Sequence, residues 1–182
     1  AAKARGYADG YRAARDAVAA SRSLADGVEL PKDHLVAMLD RIGLLTPRLT
    51  VAHGVWLDDA DLALLAERGV IVSVNSSSNL RLRSGIAPVA RMKAMGTSFA
   101  FGMDGMSLDD DEDALRELRL TQLLHAGLGL DEGLTPAEAL TRATSVGHTA
   151  VDGSTDHGII GPGTPADLVV LVAELREQQQ AR

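Results

Sequence analysis

Three polar residues, His53, Asn75 and Asp104, each follow a short apolar run in the sequence. The runs RLTVA, VIVSV and TSFAFGM are each typical of a β-strand, and the residues between them are about enough for one helix. The carboxyl ends of parallel strands meet at one edge of a sheet, where α/β enzymes keep their catalytic groups. The spacing therefore predicts that these three side chains converge at a common site.

A histidine and an aspartate at such an edge are suited to metal-assisted hydrolysis. The chain contains no cysteine, so a divalent cation such as Zn²⁺ would be held by imidazole nitrogen and carboxylate oxygen. Such a cation lowers the pKa of its bound water to about 7. Asp104 could bind the metal and take the proton, and His53 could orient the hydroxide. We expect Gly102 and Gly105 to let the backbone turn so that the carboxylate faces inward.

Each of these residues also has a structural explanation. Asp-Gly is a common turn pair, so Asp104 alone would be interpreted as a turn or cap. His53 alone is equally well interpreted as a buried structural histidine, and Asn75 alone would bond its own loop, NSSSN. The acidic run over residues 109–113 lies where a helix should begin, and the helix dipole favours a cap there over a metal site.

The other histidines are not expected to join this site. His34 and His125 are predicted to lie inside helices, away from the edge of the sheet. His148 and His157 fall in a late helix and in the loop after it, and we expect neither to have a partner at ligand spacing.

Composition narrows the class of protein. With 182 residues and 46% hydrophobic content, the chain can bury a core and is not a disordered protein. A net charge of −7 argues against nucleic acid as a partner, because phosphate binding needs a surplus of Lys and Arg. No apolar run approaches the roughly 18 residues that span a bilayer, and we expect no signal peptide. An enzyme in the cytoplasm is the expectation, with no membrane partner.

The elements that must position the site alternate between strand and helix, which predicts an α/β fold with a parallel sheet. Capping and glycine signals set the helix ends, with Asp58 and Thr135 as N-caps and Gly43 and Gly69 as stops. The predicted strands cover residues 48–54, 70–75, 97–105 and 167–172. The predicted helices cover residues 11–24, 32–42, 58–69, 87–95, 112–126 and 135–151.

The ordered combination of AHG, SSNLRLRSGIAPV, GMDG and GIIGPGTPADLVVL resembles the metal-dependent amidohydrolase superfamily. Within it, the likeness is to the cytosine and guanine deaminases and the triazine (atrazine-type) chlorohydrolases, over roughly residues 42–172. The resemblance implies a partial (β/α)₈ TIM-type barrel with strands six to eight and their helices. In that family the aspartate matching Asp104 binds the metal and shuttles protons. The histidine matching His53 contacts the attacking water or the substrate.

The resemblance further implies a hydrolase of non-peptide carbon-nitrogen bonds, expected to deaminate a small heterocyclic amine. Zn²⁺ is the expected metal, with Fe²⁺ as the alternative. His53 and Asp104 are the predicted catalytic residues and Asp104 the predicted metal ligand. Asn75, Ser78 and Asn79 are the predicted substrate-binding residues. Residues 1–160 would form the partial barrel, and residues 161–182 would begin a small flanking β-sandwich and end in a polar tail.

Some features of the family have no counterpart here. The first-strand His-x-His pair and the fifth-strand histidine are missing, and a complete barrel needs about 250 residues. We therefore expect an incomplete chain that needs the missing amino-terminal half or forms a homo-oligomer. The alternative is a catalytically inactive half-barrel, truncated or degenerate, whose open strand edges make it self-associate.

Overall fold

The computed structural model describes residues 35–105, 113–126 and 133–170. It divides into two units, with the boundary between Leu44 and Leu45. In the first unit the described part contains one helix, α1 (Leu35–Arg41), followed by Gly43 with a left-handed φ of 74°. The helix predicted over residues 32–42 is thus confirmed from residue 35, whereas the one predicted over 11–24 lies outside the described residues. The division predicted at residue 160 stays a prediction.

The second unit alternates strands and helices, as the sequence predicts. Its described elements, in chain order, are β1 (Thr50–Ala52), α2 (Asp59–Glu67), β2 (Ile71–Val74), α3 (Ser76–Arg81), α4 (Val89–Met95), β3 (Ser98–Phe101), α5 (Ala114–Leu124), α6 (Pro136–Ala143) and α7 (Ser145–Asp152).

The three strands form one parallel sheet in the order β1-β2-β3. Val72 pairs with Val51 on one side and with Phe99 on the other, which sets the register of all three strands. The central strand is buried almost throughout, as expected for a nearly all-apolar strand covered on both faces. The predicted α/β class with a parallel sheet is therefore confirmed, and the carboxyl ends of β1 and β3 lie on either side of the end of β2.

Helix starts follow the capping signals in the sequence. Asp58 and Asp61 form a reciprocal capping box on α2, and Thr135 and Glu138 form another on α6. Asp113 caps α5 by accepting hydrogen bonds from two backbone N–H groups, so the end of the acidic run is a cap as predicted. Residues 109–112 of that run lie outside the described residues.

The structure corrects three elements. The NSSSN segment was expected as a loop, but it begins helix α3. The single helix expected over residues 135–151 is two helices, α6 and α7, because the backbone leaves helical geometry at Thr144 with φ −102° and ψ −88°. The strand expected over 167–172 is absent from residues 167–170, where Val169 is 86% exposed and no strand of the described residues pairs with it.

The core lies where helices pack on the sheet. Phe99 of β3 and Leu62 of α2 are fully buried, and the guanidinium of Arg142 lies 4.3 Å from the centroid of the Phe99 ring. Burial lowers the pKa of Arg142, and the aromatic face offsets part of that cost. Thr97 donates a buried hydrogen bond of 2.9 Å to the carbonyl of Leu62, which ties the start of β3 to α2. In the part of the chain that the structure describes, we find no candidate for a membrane-spanning helix.

Candidate active site

His53 follows the last residue of β1 and is held by the sheet. Its backbone N–H donates to the carbonyl of Ser73 on β2, at 2.7 Å. Its φ of 68° is rare for a residue with a side chain, and such conformations concentrate at functional sites. The imidazole therefore leaves the strand at an angle that an ordinary extended residue would not give.

Asp104 occupies the corresponding place after β3, with a φ of 71°. The sequence assigned the sharp turn to Gly102 and Gly105, and this is wrong, because neither is among the glycines with positive φ in the described residues. The unusual backbone conformation belongs to Asp104 itself. Asp and Asn adopt this region more easily than most residues do, which permits it here.

The two side chains meet at the edge of the sheet. His53 Nε2 lies 3.7 Å from Asp104 Oδ2, and the side chains are 38% and 34% exposed, so solvent and ligands can reach both. The structure thus brings together His53 and Asp104, two of the three side chains predicted to converge. Their catalytic roles stay predictions.

The short helix α3 fixes both groups. Asn79 Oδ1 lies 2.8 Å from His53 Nδ1, and Ser78 Oγ donates to Asp104 Oδ2 at 2.7 Å. Because the amide oxygen of Asn79 is an acceptor, the neutral imidazole in this contact carries its proton on Nδ1 and has a lone pair on Nε2. Nε2 is the ring nitrogen of His53 that lies near the carboxylate of Asp104.

Ser78 and Asn79 were predicted to bind substrate, and the structure shows them buried, at 0% and 2% exposure. Their observed contacts position His53 and Asp104, a function that the sequence did not reveal because α3 was expected as a loop. One donor of Asn79, Nδ2, has no hydrogen-bond partner among the described residues. A substrate contact by Asn79 would use this donor, and it stays a prediction.

Two side chains of α5 form hydrogen bonds with the first turn of α3. The buried Glu117 accepts a hydrogen bond of 3.1 Å from the N–H of Ser77, and Thr121 Oγ1 donates to Ser76 Oγ at 2.8 Å. A carboxylate at the first turn of α3 also satisfies a backbone donor that the helix leaves unpaired. Glu117 and Thr121 are therefore positioning residues that the sequence analysis missed.

Asn75 is the third predicted site residue, and it is turned into the protein. It is 4% exposed, and its Oδ1 accepts a hydrogen bond of 3.1 Å from Ser73 Oγ. Gly102 lies against this pair, since a Cβ there would come 2.6 Å from Asn75 Oδ1 and 2.8 Å from Ser73 Oγ. The absence of a side chain at Gly102 thus lets the backbone after β3 lie close to the side chains of Asn75 and Ser73. The predicted substrate contact of Asn75 stays a prediction.

The donor set fits a divalent cation. Two acceptors, the lone pair of His53 Nε2 and an oxygen of Asp104, face each other at 3.7 Å, and a cation or a water molecule is the natural neighbour of both. Zn²⁺ takes imidazole nitrogen and carboxylate oxygen at about 2.0–2.2 Å. In the described residues, however, no third histidine or acidic group joins this pair to complete a metal site. His53 and Asp104 alone are fewer than the three protein ligands usual for catalytic zinc.

The remaining histidines are placed as follows. His125 directly follows α5 as its C-cap, and burial lowers its pKa, whereas His34 lies outside the described residues. His148 and His157 were expected to have no partner at ligand spacing, and this is wrong. Together with Asp152 they form a group whose ligand atoms all lie within 4.8 Å of one another.

Curated relatives share the region that contains this site. The 5'-deoxyadenosine deaminase of Methanopyrus kandleri is 41% identical over 136 residues, which cover 75% of this chain and 32% of that protein. The 5-methylthioadenosine/S-adenosylhomocysteine deaminase of Dictyoglomus thermophilum is 38% identical over 137 residues, with coverage of 75% and 32%. The chain thus spans about a third of the length of the curated relatives it matches.

Solved structures agree in fold. An adenosine deaminase from Xanthomonas campestris with bound zinc matches with a TM-score of 0.68 at 33% identity, over 80% of this chain and 38% of that one. The atrazine chlorohydrolase of Arthrobacter aurescens in complex with zinc matches with a TM-score of 0.64 at 27% identity, over 71% and 29%. These neighbours imply a TIM-barrel-type fold, with which the three-stranded parallel sheet is consistent.

The sequence profile of the amidohydrolase family matches residues 13–182, which include every strand of the sheet and both His53 and Asp104. The resemblance drawn from the sequence motifs is therefore confirmed, and the chain belongs to the amidohydrolase family.

Proposed function

We propose that this chain carries the histidine and the aspartate of a metal-dependent hydrolase that deaminates a heterocyclic amine. The observation that supports it most is the 3.7 Å approach of His53 Nε2 to Asp104 Oδ2, with α3 holding both groups. The names of the relatives favour an adenine nucleoside modified at its 5' position as the substrate. Bound zinc in the structural neighbours supports Zn²⁺ over Fe²⁺.

In this proposal β1, β2 and β3 correspond to strands six, seven and eight of the barrel, and residues 161–182 begin a flanking sandwich. The parallel order β1-β2-β3 and the site residues after β1 and β3 support the first part. The remaining metal ligands come from residues outside the described ranges or from a second polypeptide, since His53 and Asp104 are too few.

The chemistry exchanges an amino group for oxygen. Water adds to the ring carbon that bears the amine, the carbon-nitrogen bond breaks, and ammonia leaves while the ring keeps the oxygen. When bound, the metal would lower the pKa of the attacking water and so supply a nucleophile at neutral pH. Asp104 would accept the proton of that water and return it to nitrogen on the substrate.

His53 orients the reactants in this scheme. Its Nδ1 proton is directed to Asn79 Oδ1, so Nε2 presents a lone pair that can accept a hydrogen bond from the attacking water. Ser78 Oγ donates a hydrogen bond to Asp104 Oδ2, which restricts rotation of the carboxylate. Fixing both groups before substrate arrives lowers the entropic cost of reaching the transition state.

The test is ammonia release from adenosine, 5'-deoxyadenosine, 5'-methylthioadenosine and S-adenosylhomocysteine. It uses zinc-loaded protein in which this chain is combined with the polypeptide that supplies the remaining metal ligands. We expect Asp104→Asn to abolish release and His53→Asn to reduce kcat by about 10²-fold or more. Asp59→Asn is the matched control, since its side chain is 72% exposed and its partner is Arg91 on the surface. If the combined protein is folded and holds zinc but releases no ammonia from any of these amines, the proposal is contradicted, as it is by release that Asp104→Asn leaves unchanged.

A second candidate concerns assembly. In the described part of the chain β1 pairs only with β2, and Ala52 of β1 is exposed, so the outer edge of β1 offers unpaired backbone groups. We propose that another strand, from a second copy or from an amino-terminal half of the barrel, pairs with this edge. Light scattering should then show a dimer of this chain alone, and a compact monomer at high concentration would refute self-association.

A further inference from the structure

A second group of potential ligands lies outside the site described above. His148 and Asp152 stand one helical turn apart on α7, and His157 is in the loop that follows the helix. One ligand atom from each lies within 4.8 Å of the other two. Among the described residues this is the only group of three or more histidine and acidic side chains placed so that one metal ion could bind to all of them.

The distances approach those of a tetrahedral metal site. His157 Nδ1 lies 3.3 Å from Asp152 Oδ2. Two ligands bound to zinc at about 2.1 Å in tetrahedral geometry stand ~3.4 Å apart, so this pair already has the required separation. The ring of His148 meets that of His157 edge-on, with centroids 5.6 Å apart. Rotation of these partly exposed rings would bring the third ligand atom closer to that separation.

The loop is fixed in the conformation that brings His157 back to the helix. Asp152 Oδ1 accepts hydrogen bonds from the N–H and Oγ of Ser154, at 2.8 and 2.6 Å, which leaves Oδ2 directed at His157. The carbonyl of Ser154 accepts a hydrogen bond of 2.7 Å from Thr149 Oγ1. Gly158 has φ 69°, and a Cβ there would come 2.6 Å from the carbonyl carbon of Thr144, so the loop packs directly on the start of α7.

Hydrogen bonds to the far oxygen of a ligating carboxylate are a common feature of metal sites, because they orient the ligand. Both imidazoles are partly exposed, so they are accessible to an ion from solution.

We propose that His148, Asp152 and His157 bind one divalent transition metal ion, with Zn²⁺ as the reference ion, and that this ion ties the loop over residues 153–157 to α7. Two imidazoles and one carboxylate are a donor set for Zn²⁺, Ni²⁺ or Cu²⁺ and a poor one for Mg²⁺ or Ca²⁺, which prefer oxygen. Water would complete the coordination. Nothing in this proposal depends on the deaminase proposal.

Helix α7, which carries two of the three residues, contacts the end of β1 opposite to His53. The carbonyl of Ala150 on α7 accepts a hydrogen bond of 2.8 Å from Thr50, the first residue of β1. His53 follows the opposite end of the same strand. An ion held here would therefore stabilise the fold of the α7 region and take no part in the chemistry at the carboxyl edge.

The experiment is Zn²⁺ titration by calorimetry of a variant carrying Asp104→Asn, which weakens the other site. We expect one equivalent of Zn²⁺ to bind, and Co²⁺ in its place to give the visible absorption of a four-coordinate ion. His148→Ala, Asp152→Asn and His157→Ala should each weaken binding by at least about tenfold, the loss typical even for groups that only support a metal ligand. At Zn²⁺ a hundredfold above the dissociation constant, Tm should rise by about 5 °C or more.

Asp156→Asn is the matched control, because it removes a carboxylate from the same loop that lies 3.9 Å from His157 Nε2 but is not in the ligand group. It should weaken Zn²⁺ binding less than about threefold, through lost attraction alone. Equal losses in Asp152→Asn and Asp156→Asn would show non-specific attraction and overturn the proposal. An absence of saturable Zn²⁺ binding would also overturn it. So would unchanged Zn²⁺ affinity in His148→Ala, provided that the metal-free variant has the same Tm as the unsubstituted protein and is therefore folded.

Discussion

Replacing Gly102 with alanine should break the contact that holds the end of β3 against β2. The new Cβ would lie 2.6 Å from Asn75 Oδ1 and 2.8 Å from Ser73 Oγ, far inside ordinary van der Waals contact. Gly102 does not have a positive φ, so alanine meets no backbone penalty there and the effect is one of space alone. The two side chains must separate, and their 3.1 Å hydrogen bond is lost.

The expected magnitude follows from the burial of the pair. Asn75 is 4% exposed, and leaving a buried polar group without its partner costs about 1–3 kcal/mol. Moving tightly packed atoms to make room costs about 1–3 kcal/mol, part of which is the same broken bond. The lower entropy of the unfolded alanine chain offsets about 0.4–1 kcal/mol. We therefore expect Gly102→Ala to lower the free energy of unfolding by about 2–4 kcal/mol.

The assay is urea unfolding at neutral pH, with the free energy extrapolated to water and the m-value checked for constancy. Gly105→Ala is the matched control, because a Cβ there meets nothing within 4 Å and the residue also lacks a positive φ. It should change stability by less than about 0.5 kcal/mol. In an Asn75→Ala background the cost of Gly102→Ala should fall by about 1 kcal/mol or more, since one of the two clashing atoms is gone. Equal effects of the two glycine substitutions, or strict additivity with Asn75→Ala, would refute the steric argument.

Other perturbations have smaller or more local effects. Glu117→Gln should lower the free energy of unfolding by about 1–2 kcal/mol and reduce metal retention at Asp104, because it weakens the buried hydrogen bond that the N–H of Ser77 donates at the start of α3. Thr141→Ala, on the exposed face of α6, is the control. Hydrogen bonds from Lys93 and then Thr135 lower the pKa of Glu138 to about 2, so its contribution to stability is present above about pH 4.5 and is lost as pH falls through about 2. Glu138→Gln should therefore cost up to about 1 kcal/mol at pH 7 and only a small part of that at pH 2, by thermal unfolding. Zn²⁺ binding at His148 and His157 should weaken in acid, because protons compete with the metal for imidazole nitrogen. An affinity that does not change with pH would contradict imidazole ligation.

The sequence predicted well those features that depend on neighbouring residues. Apolar runs followed by a polar residue identified all three strands, and capping residues such as Asp58 and Thr135 marked helix starts. The parallel arrangement then brought His53 and Asp104 to one edge, because the ends of such strands must meet.

Features that depend on tertiary contacts were missed. Ser76 to Asn79 have low intrinsic helix preference, and α3 forms because Glu117 and Thr121 supply partners for its first turn from 40 or more residues away. The role of Gly102 depends on the position of Asn75 in the neighbouring strand. The His148 and Asp152 pair had the spacing of one helical turn and could have been noticed, but the return of His157 depends on the loop conformation.

Anomalous diffraction at the zinc edge would locate the ion in crystals of zinc-loaded protein that includes the remaining metal ligands. We expect a zinc peak about 2.0–2.2 Å from a carboxylate oxygen of Asp104, with His53 Nε2 directed at the water bound to that ion. Zinc that occupies other sites while leaving Asp104 without an ion would contradict this expectation.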